Sequence, residues 1–344
     1  MRSTAPSSYQ SARKGLPPLG ALPLLAVLVV GPGWGSSPPS PAAAASSERG
    51  SGRLMAITVD DLPVAPPNRH SPDQIEEIHR RLLDVFEAHD VVATGFVNES
   101  RLEVEGKVDP ARVAILEAWL DRGHGLGNHG YGHLDLHRVE PDAWLEDVWR
   151  GERVTRPLVE SKGRPFRFFR HPFLRTGRSA EIQRRTTEAL RNRGYRVAPV
   201  TIDNGEWIYG GAYADAWNRG DDDLMRRLGE DYVRYMLEVV TFYEGQTEAI
   251  LGRPIPHVLL LHDYALNAHW LGALLEELVD RGYRFIPLED ALEDPAYGRD
   301  GSGYTGGGGI TWLHRWAITE GVDRKIFRGE PEVPAWVEAA AEGR

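Results

Sequence analysis

The sequence contains no cysteine. Disulfides, thiolate metal sites, iron–sulfur clusters, a cysteine nucleophile and a lipidated cysteine are therefore excluded. A chain of 344 residues does not need disulfide staples, so their absence is no argument against export. Excess positive charge is missing too. The net charge is −10, and Arg2, Arg13 and Lys14 give residues 1–45 a charge of +3, so the remainder carries −13. A body this acidic suits a polyphosphate backbone poorly, and no nucleic-acid partner is expected. No internal repeat is visible, and no Lys-Ser/Thr pair follows the glycine-rich Gly301–Gly309 run. That run reads as a flexible loop, not a phosphate-binding one. Ten Trp, twelve Tyr and nine Phe supply ample apolar area, which excludes disorder as the main state.

Beyond the N-terminus no apolar run is long enough to cross a bilayer. At the N-terminus, Arg13 and Lys14 precede an apolar stretch from Leu19 to Val30, followed by Gly-Pro-Gly, a Ser/Pro segment and Ala42–Ala45. A positive start, a short apolar middle and small residues suited to cleavage are the layout of a secretory signal. Pro17, Pro18 and Pro23 interrupt the run, and it falls short of the roughly 20 residues a spanning helix needs. Residues 1–45 are read as a signal peptide with a low-complexity linker, and the protein as exported to the periplasm or the exterior. A membrane anchor made by an uncleaved signal is the rival reading. After cleavage no stable membrane span is expected.

From Leu54 onward strands and helices alternate. Short apolar runs at 54–60, 91–97, 124–128, 167–169, 196–202, 258–261 and 284–287 read as seven strands. Helices are expected at 110–121, 141–161, 179–193, 221–251 and 268–281, and another opens at Ser71-Pro72-Asp73-Gln74, a capping box with proline in the first turn. Asp221-Asp222-Asp223 reads as a solvated helix start. Seven strand–helix units imply an α/β fold with a mostly parallel sheet, closed into a barrel. The barrel is assigned to residues 46–295. Residues 296–344 are read as the glycine-rich loop, the Trp312–Trp316 packing element and a short Ala-rich helix.

In a barrel of this kind, active sites collect at the C-terminal strand ends. Five of the seven ends carry ionisable groups: Asp60-Asp61, His129–His133, Arg170-His171, Asp203–Glu206 and His262-Asp263. Two imidazoles and one carboxylate suit Zn²⁺ or a similar divalent ion, with positions left open for water. Such an ion lowers the pKa of its water and polarises a carbonyl, which suits hydrolysis of an ester or amide. One of the paired aspartates then binds metal and the other acts as a base, held ionised by Arg170. His262 is a candidate general acid. His137, four residues after His133, is either an alternative ligand or a surface residue. His171 is read as structural.

The same residues carry a family resemblance. Thr58-Val59-Asp60-Asp61-Leu62-Pro63, His129-Gly130-Tyr131-Gly132-His133, Arg170-His171-Pro172-Phe173, Asp203-Asn204-Gly205-Glu206-Trp207 and Leu260-Leu261-His262 occur in the order of the five motifs of polysaccharide deacetylases. The chain resembles the NodB-homology type, carbohydrate esterase family four, over residues 54–290. The resemblance implies a distorted (β/α)7 barrel and a hydrolase that removes N- or O-acetyl groups from a glycan. It implies one divalent ion, Zn²⁺ or else Co²⁺ or Ni²⁺, on Asp61, His129 and His133. Asp60 is then the base, Arg170 its tether, His262 the acid and Glu206 its partner, with Asp203 as the rival for that place. The backbone N–H of Phe173 would meet the oxyanion, Trp207 and Leu260 would line the acetyl pocket, and Tyr131 is grouped with them as substrate-binding.

Three positions depart from the family pattern: Leu62 and Leu174 stand where glycine is usual, and Glu206 where aspartate is usual. They mark a divergent branch. A non-catalytic carbohydrate-binding relative and an amide hydrolase of a small non-sugar molecule are the alternative readings.

Overall fold

The computed structural model describes residues 53–65 and 69–343; the segment read as a signal lies outside them. The chain runs β1 (Arg53–Leu62), α1 (Pro72–Ala88), β2 (Thr94–Val97), a two-strand hairpin β3 (Glu103–Val104) and β4 (Lys107–Val108), α2 (Pro110–Asp121) and β5 (Gly125–Asn128). It continues through α3 (Pro141–Arg150), α4 (Thr155–Ser161), β6 (Phe168–Phe169), α5 (Ala180–Asn192), β7 (Arg196–Val197), α6 (Glu206–Arg219), α7 (Asp222–Leu251) and β8 (His257–His262). It ends with α8 (Ala265–Asp280), β9 (Tyr283–Phe285), α9 (Leu288–Ala291), α10 (Trp312–Thr319) and α11 (Ala335–Ala341).

Seven strands form one parallel sheet in the order β7-β6-β5-β2-β1-β8, with β9 also on β1. The chain beyond β7 turns from β6 to β8: Ala198 N–H bonds Phe169 O at 2.8 Å, and Ile202 bridges Leu259. That switch closes the ring. β9 meets β1 at 53–55 on the side opposite β8, below the stretch of β1 that pairs with β2, so the barrel is distorted as expected.

The period of two along each strand positions the chemistry. Met55, Ile57 and Val59 pack outward among the helices, with Leu259 and Leu261. Ala56 packs inside with Phe96, Phe168, Ala198 and Val258, and Thr58 and Asp60 follow Ala56 at that period. Higher up, Leu260 meets Val200 and Leu174. The Asp60 carboxylate thus enters the interior near the C-terminal end of β1.

The Ser71 capping box forms as expected, and the Asp221 side chain caps α7 by accepting from Leu224 N–H. Two expectations need correction. The helix expected at 141–161 is two helices, broken at 151–154. A Cβ on Gly151 would lie 2.5 Å from the Gly130 backbone, and the buried Glu99 carboxylate accepts from the N–H groups of Val154 and Thr155. α6 was not expected, because Gly210 and Gly211 at its centre and apolar residues on both faces erase a helical period. Among the described residues, no helix is long and apolar enough to cross a membrane.

The glycine run is held, not free. Tyr304 O accepts from Gln183 Nε2 at 2.6 Å, and His137 Nδ1 lies 3.3 Å from Gly307 O. After it, Trp316 is fully buried and meets Tyr297 edge-on, and Val337 of α11 is buried in the same core as the outward strand residues.

Candidate active site

Near the end of β1, Asp61 adopts a left-handed backbone, φ 75°, and the Asp60 and Asp61 side chains line one cavity, 3.6 and 3.8 Å from His129 Nε2. Leu62 then turns into the core, where a Cβ on Gly95 would lie 2.6 Å from it. The apolar side chain at this unusual position is therefore spent on packing beneath the site.

His129 and His133 sit on a loop, not a helix. Gly130 at φ 79° and His133 at φ 56° fold it back. Asn128 Oδ1 accepts from Gly130 N–H at 2.7 Å, and Asp147 of α3 accepts from Tyr131 N–H at 3.1 Å and Gly132 N–H at 2.8 Å. The result brings both Nε2 atoms to Asp61 Oδ1, at 3.8 Å for His129 and 3.7 Å for His133. That oxygen is buried and has no hydrogen-bond partner. His129 Nδ1 donates to Arg170 O at 2.9 Å, which leaves Nε2 with its lone pair inward. Burial lowers the pKa of both imidazoles and keeps them neutral. Burial works against the Asp61 anion, but Arg101 at 3.2 Å and the surrounding histidines outweigh it and hold the carboxyl well below the usual range. One orphaned carboxylate oxygen and two neutral imidazole nitrogens, with their ligand atoms all within 4.8 Å, are a donor set that fits a divalent ion.

Asp60 faces the barrel interior. Fully buried Arg170 holds it, with Nη1 3.3 and 3.4 Å from the two carboxylate oxygens, Nη2 on Thr58 Oγ1 and Nε on Ala198 O. Burial raises Asp60 to about 6 against the pull of Arg170. Across the cavity, His262 Nδ1 meets Glu206 Oε2 at 2.9 Å. Glu206 Oε1 accepts from Asn267 Nδ2, and Asn267 is held in turn by Tyr232 OH at 2.7 Å. Burial disfavours the imidazolium, yet the Glu206 bond and charge, with Asp61 and Asp60, raise His262 to about 9. Asp203 accepts instead from Asn204 N–H at 2.9 Å.

These groups share a cavity of about 380 Å³, also lined by Phe173, Leu174, Arg175, Trp207, Leu260, Tyr264 and Gly309. Phe173 and Trp207 are half exposed at its mouth. Phe173 and Leu174 are consecutive left-handed residues, φ 57° and 52°. With Asp61 and His133 they make four of the six described non-glycine residues in that region, each costing roughly 1–2 kcal/mol, and such strain gathers at functional sites.

Of the expected site residues, Tyr131 alone is misplaced. Its hydroxyl donates to Glu103 at 2.9 Å and its ring lies under Arg150, away from the cavity. His137 stands outside the three-residue group, and His171 stacks on Trp144 as a core residue. Arg101 and Asp147 were not foreseen, since neither lies in a motif and both act through the fold.

The polysaccharide deacetylase family model matches residues 47–198. The chain is related to the polysaccharide deacetylases. YheN of Bacillus subtilis (strain 168), which carries the polysaccharide deacetylase name, is 25% identical over 241 residues, 70% of this chain and 68% of its own. Among solved structures, the chitin deacetylase of the fungal pathogen Colletotrichum lindemuthianum is 20% identical with a TM-score of 0.47, covering 71% of this chain and 89% of that one. BA3943 of Bacillus anthracis, a CE4 family pseudoenzyme, is 16% identical with a TM-score of 0.44, covering 70% and 66%. The deacetylase match stops before His262, which lines the cavity, and before Glu206, which holds it from behind.

Proposed function

We propose that the protein is a metal-dependent hydrolase that removes N- or O-linked acetyl groups from a polysaccharide or oligosaccharide, and that it acts after export. The observation that carries this reading is the orphaned Asp61 Oδ1 facing two neutral imidazoles, in one cavity with Asp60 and His262. Asp61, His129 and His133 would hold the ion, which when bound acidifies water and polarises the acetyl carbonyl. Zn²⁺ suits this donor set, with Co²⁺ or Ni²⁺ as substitutes.

The chain's own groups divide the remaining work. Asp60, raised to about 6, is ionised at neutral pH yet basic enough to take a proton from the attacking water. Arg170 fixes its orientation. The Phe173 N–H would donate to the oxyanion as negative charge develops there. His262, kept protonated by Glu206, gives its proton to the departing sugar amine or hydroxyl. Leu260 and Trp207 offer apolar surface to the acetyl methyl.

Purified protein should contain one equivalent of divalent metal and release acetate from at least one member of a panel of N- and O-acetylated glycans. Sugar binding without acetate release would favour a non-catalytic relative; hydrolysis of small non-sugar amides alone would favour the third reading. The export proposal predicts a mature N-terminus near Ala45 in periplasmic or secreted protein. A membrane-bound chain retaining Leu19–Val30 would instead make the segment an anchor.

A further inference from the structure

The turn at Phe173 and Leu174 has no glycine to ease its left-handed backbone, so other groups must hold it. Its own hydrogen bonds are short-range: Leu174 N–H to His171 O at 3.0 Å and Arg175 N–H to Pro172 O at 3.1 Å. The Leu174 carbonyl is taken by Arg315 of α10, 141 residues away, through Nη2 at 2.6 Å. Arg315 Nη1 donates to Thr176 Oγ1 at 2.9 Å and its Nε to Ile310 O at 3.3 Å. One guanidinium thus grips both sides of the turn's exit.

Arg315 is 2% exposed and forms no ion pair with any carboxylate among the described residues. The rings of Tyr304 and Trp312 lie 5.1 Å from its guanidinium carbon. A buried cation without a counter-ion is costly, so the neutral acceptors it binds must be what keeps it there. Burial pushes its pKa down to about 10, which leaves it charged at neutral pH. Trp312 N–H anchors the start of α10 to Val200 O at 2.8 Å, in the segment that follows β7. From the other side, Gly309 presses on the turn so closely that a Cβ there would lie 1.9 Å from Phe173 O.

We propose that Arg315 is a positioning residue: it clamps the Phe173–Leu174 turn at the cavity rim in its left-handed form, replacing the conformational freedom a glycine at 174 would give. Its kinetic consequence rests on the deacetylase reading, whereas the conformational consequence does not. The test compares wild type, Arg315→Gln and Arg315→Gln/Leu174→Gly as zinc-loaded full chains. Amide hydrogen exchange is read across residues 171–176, and acetate release is followed with tetra-N-acetylchitotetraose as probe.

Arg315→Gln should speed exchange at Leu174 and Arg175 by about tenfold or more, since an unclamped turn opens locally. It should lower kcat roughly 100-fold while KM and zinc content stay close to wild type, because a displaced oxyanion donor is felt in the transition state. Adding Leu174→Gly should recover at least about tenfold of kcat, because glycine adopts this backbone without a clamp. Unchanged exchange at the turn, or a loss of kcat that Leu174→Gly does not recover, overturns the proposal. If Arg315→Gln fails to fold, Thr176→Val keeps the buried cation and removes one acceptor; it should shift exchange and kcat in the same direction, and no shift overturns the proposal. If wild type releases no acetate from any acetylated glycan, the deacetylase reading fails, and exchange alone decides the role of Arg315.

Discussion

Glu206 reaches His262 Nδ1 at 2.9 Å from the first turn of α6, while Asp203, three residues earlier, accepts from the neighbouring Asn204 N–H. The longer side chain spans the gap because Glu206 is pinned from behind by Asn267, which also donates to His262 O at 2.8 Å. Imidazole and carboxylate are thus oriented by one amide.

This pairing sets a pH prediction. His262 is raised to about 9, so its protonated form is present at neutral pH and is lost as pH rises through that value. If His262 is the general acid, activity declines on the same limb. Glu206→Gln removes the carboxylate that favours the imidazolium, so the alkaline limb should move toward acid with metal content unchanged. A limb that stays in place in Glu206→Gln and moves in Asp203→Asn assigns the pairing to Asp203.

The Asp147 carboxylate holds the loop between the two imidazoles by accepting from Tyr131 and Gly132 N–H. Asp147→Ala should weaken Zn²⁺ binding roughly 10- to 100-fold, the usual cost of losing a group that orients metal ligands. Titration calorimetry on apo protein measures it. Affinity equal to wild type would show that Gly130 and His133 hold the loop unaided.

Much of this was legible in the sequence, for a physical reason. A parallel barrel buries both faces of its strands, so each strand reads as a short apolar run, and chemistry-bearing residues stand out where the run stops. Asp60, Asp61, Arg170 and His262 were all found in that way. Tyr131 was misread because a loop with left-handed residues does not alternate its side chains, so motif membership says nothing about where its ring points. The Arg315 contact was illegible for a different reason: its partner lies 141 residues away, and nothing local in a helix of eight residues announces it.

The histidine series allows a direct test of ligand choice. His133 Nε2 faces Asp61 Oδ1 at 3.7 Å, whereas His137 Nδ1 lies 3.3 Å from Gly307 O. His133→Ala should abolish stoichiometric Zn²⁺ binding, and His137→Ala should leave it within about threefold, as expected for a side chain outside the ligand group. The reverse pattern in metal analysis would reject the assignment.

The two adjacent carboxylates should separate in the same way. Asp61 Oδ1 has no partner and faces both imidazoles, so its charge is needed to hold the ion. Asp60 already has Arg170 on both of its oxygens and stands outside the group of three side chains whose ligand atoms converge. Asp60→Asn therefore leaves the ligand set whole and removes a base, and should lower kcat by roughly 100- to 10,000-fold with metal retained. Asp61→Asn takes charge from the ligand itself and should lose metal and activity together. The asparagine at 60 also leaves the buried Arg170 without its counter-charge, a cost of about 3–5 kcal/mol by analogy with other broken buried pairs. Asp60→Asn should therefore melt earlier than wild type in the metal-free state, a shift that Asp61→Asn, with Arg101 partly solvated at 14% exposure, should show less strongly. Equal metal loss in the two variants would remove the division of labour between them.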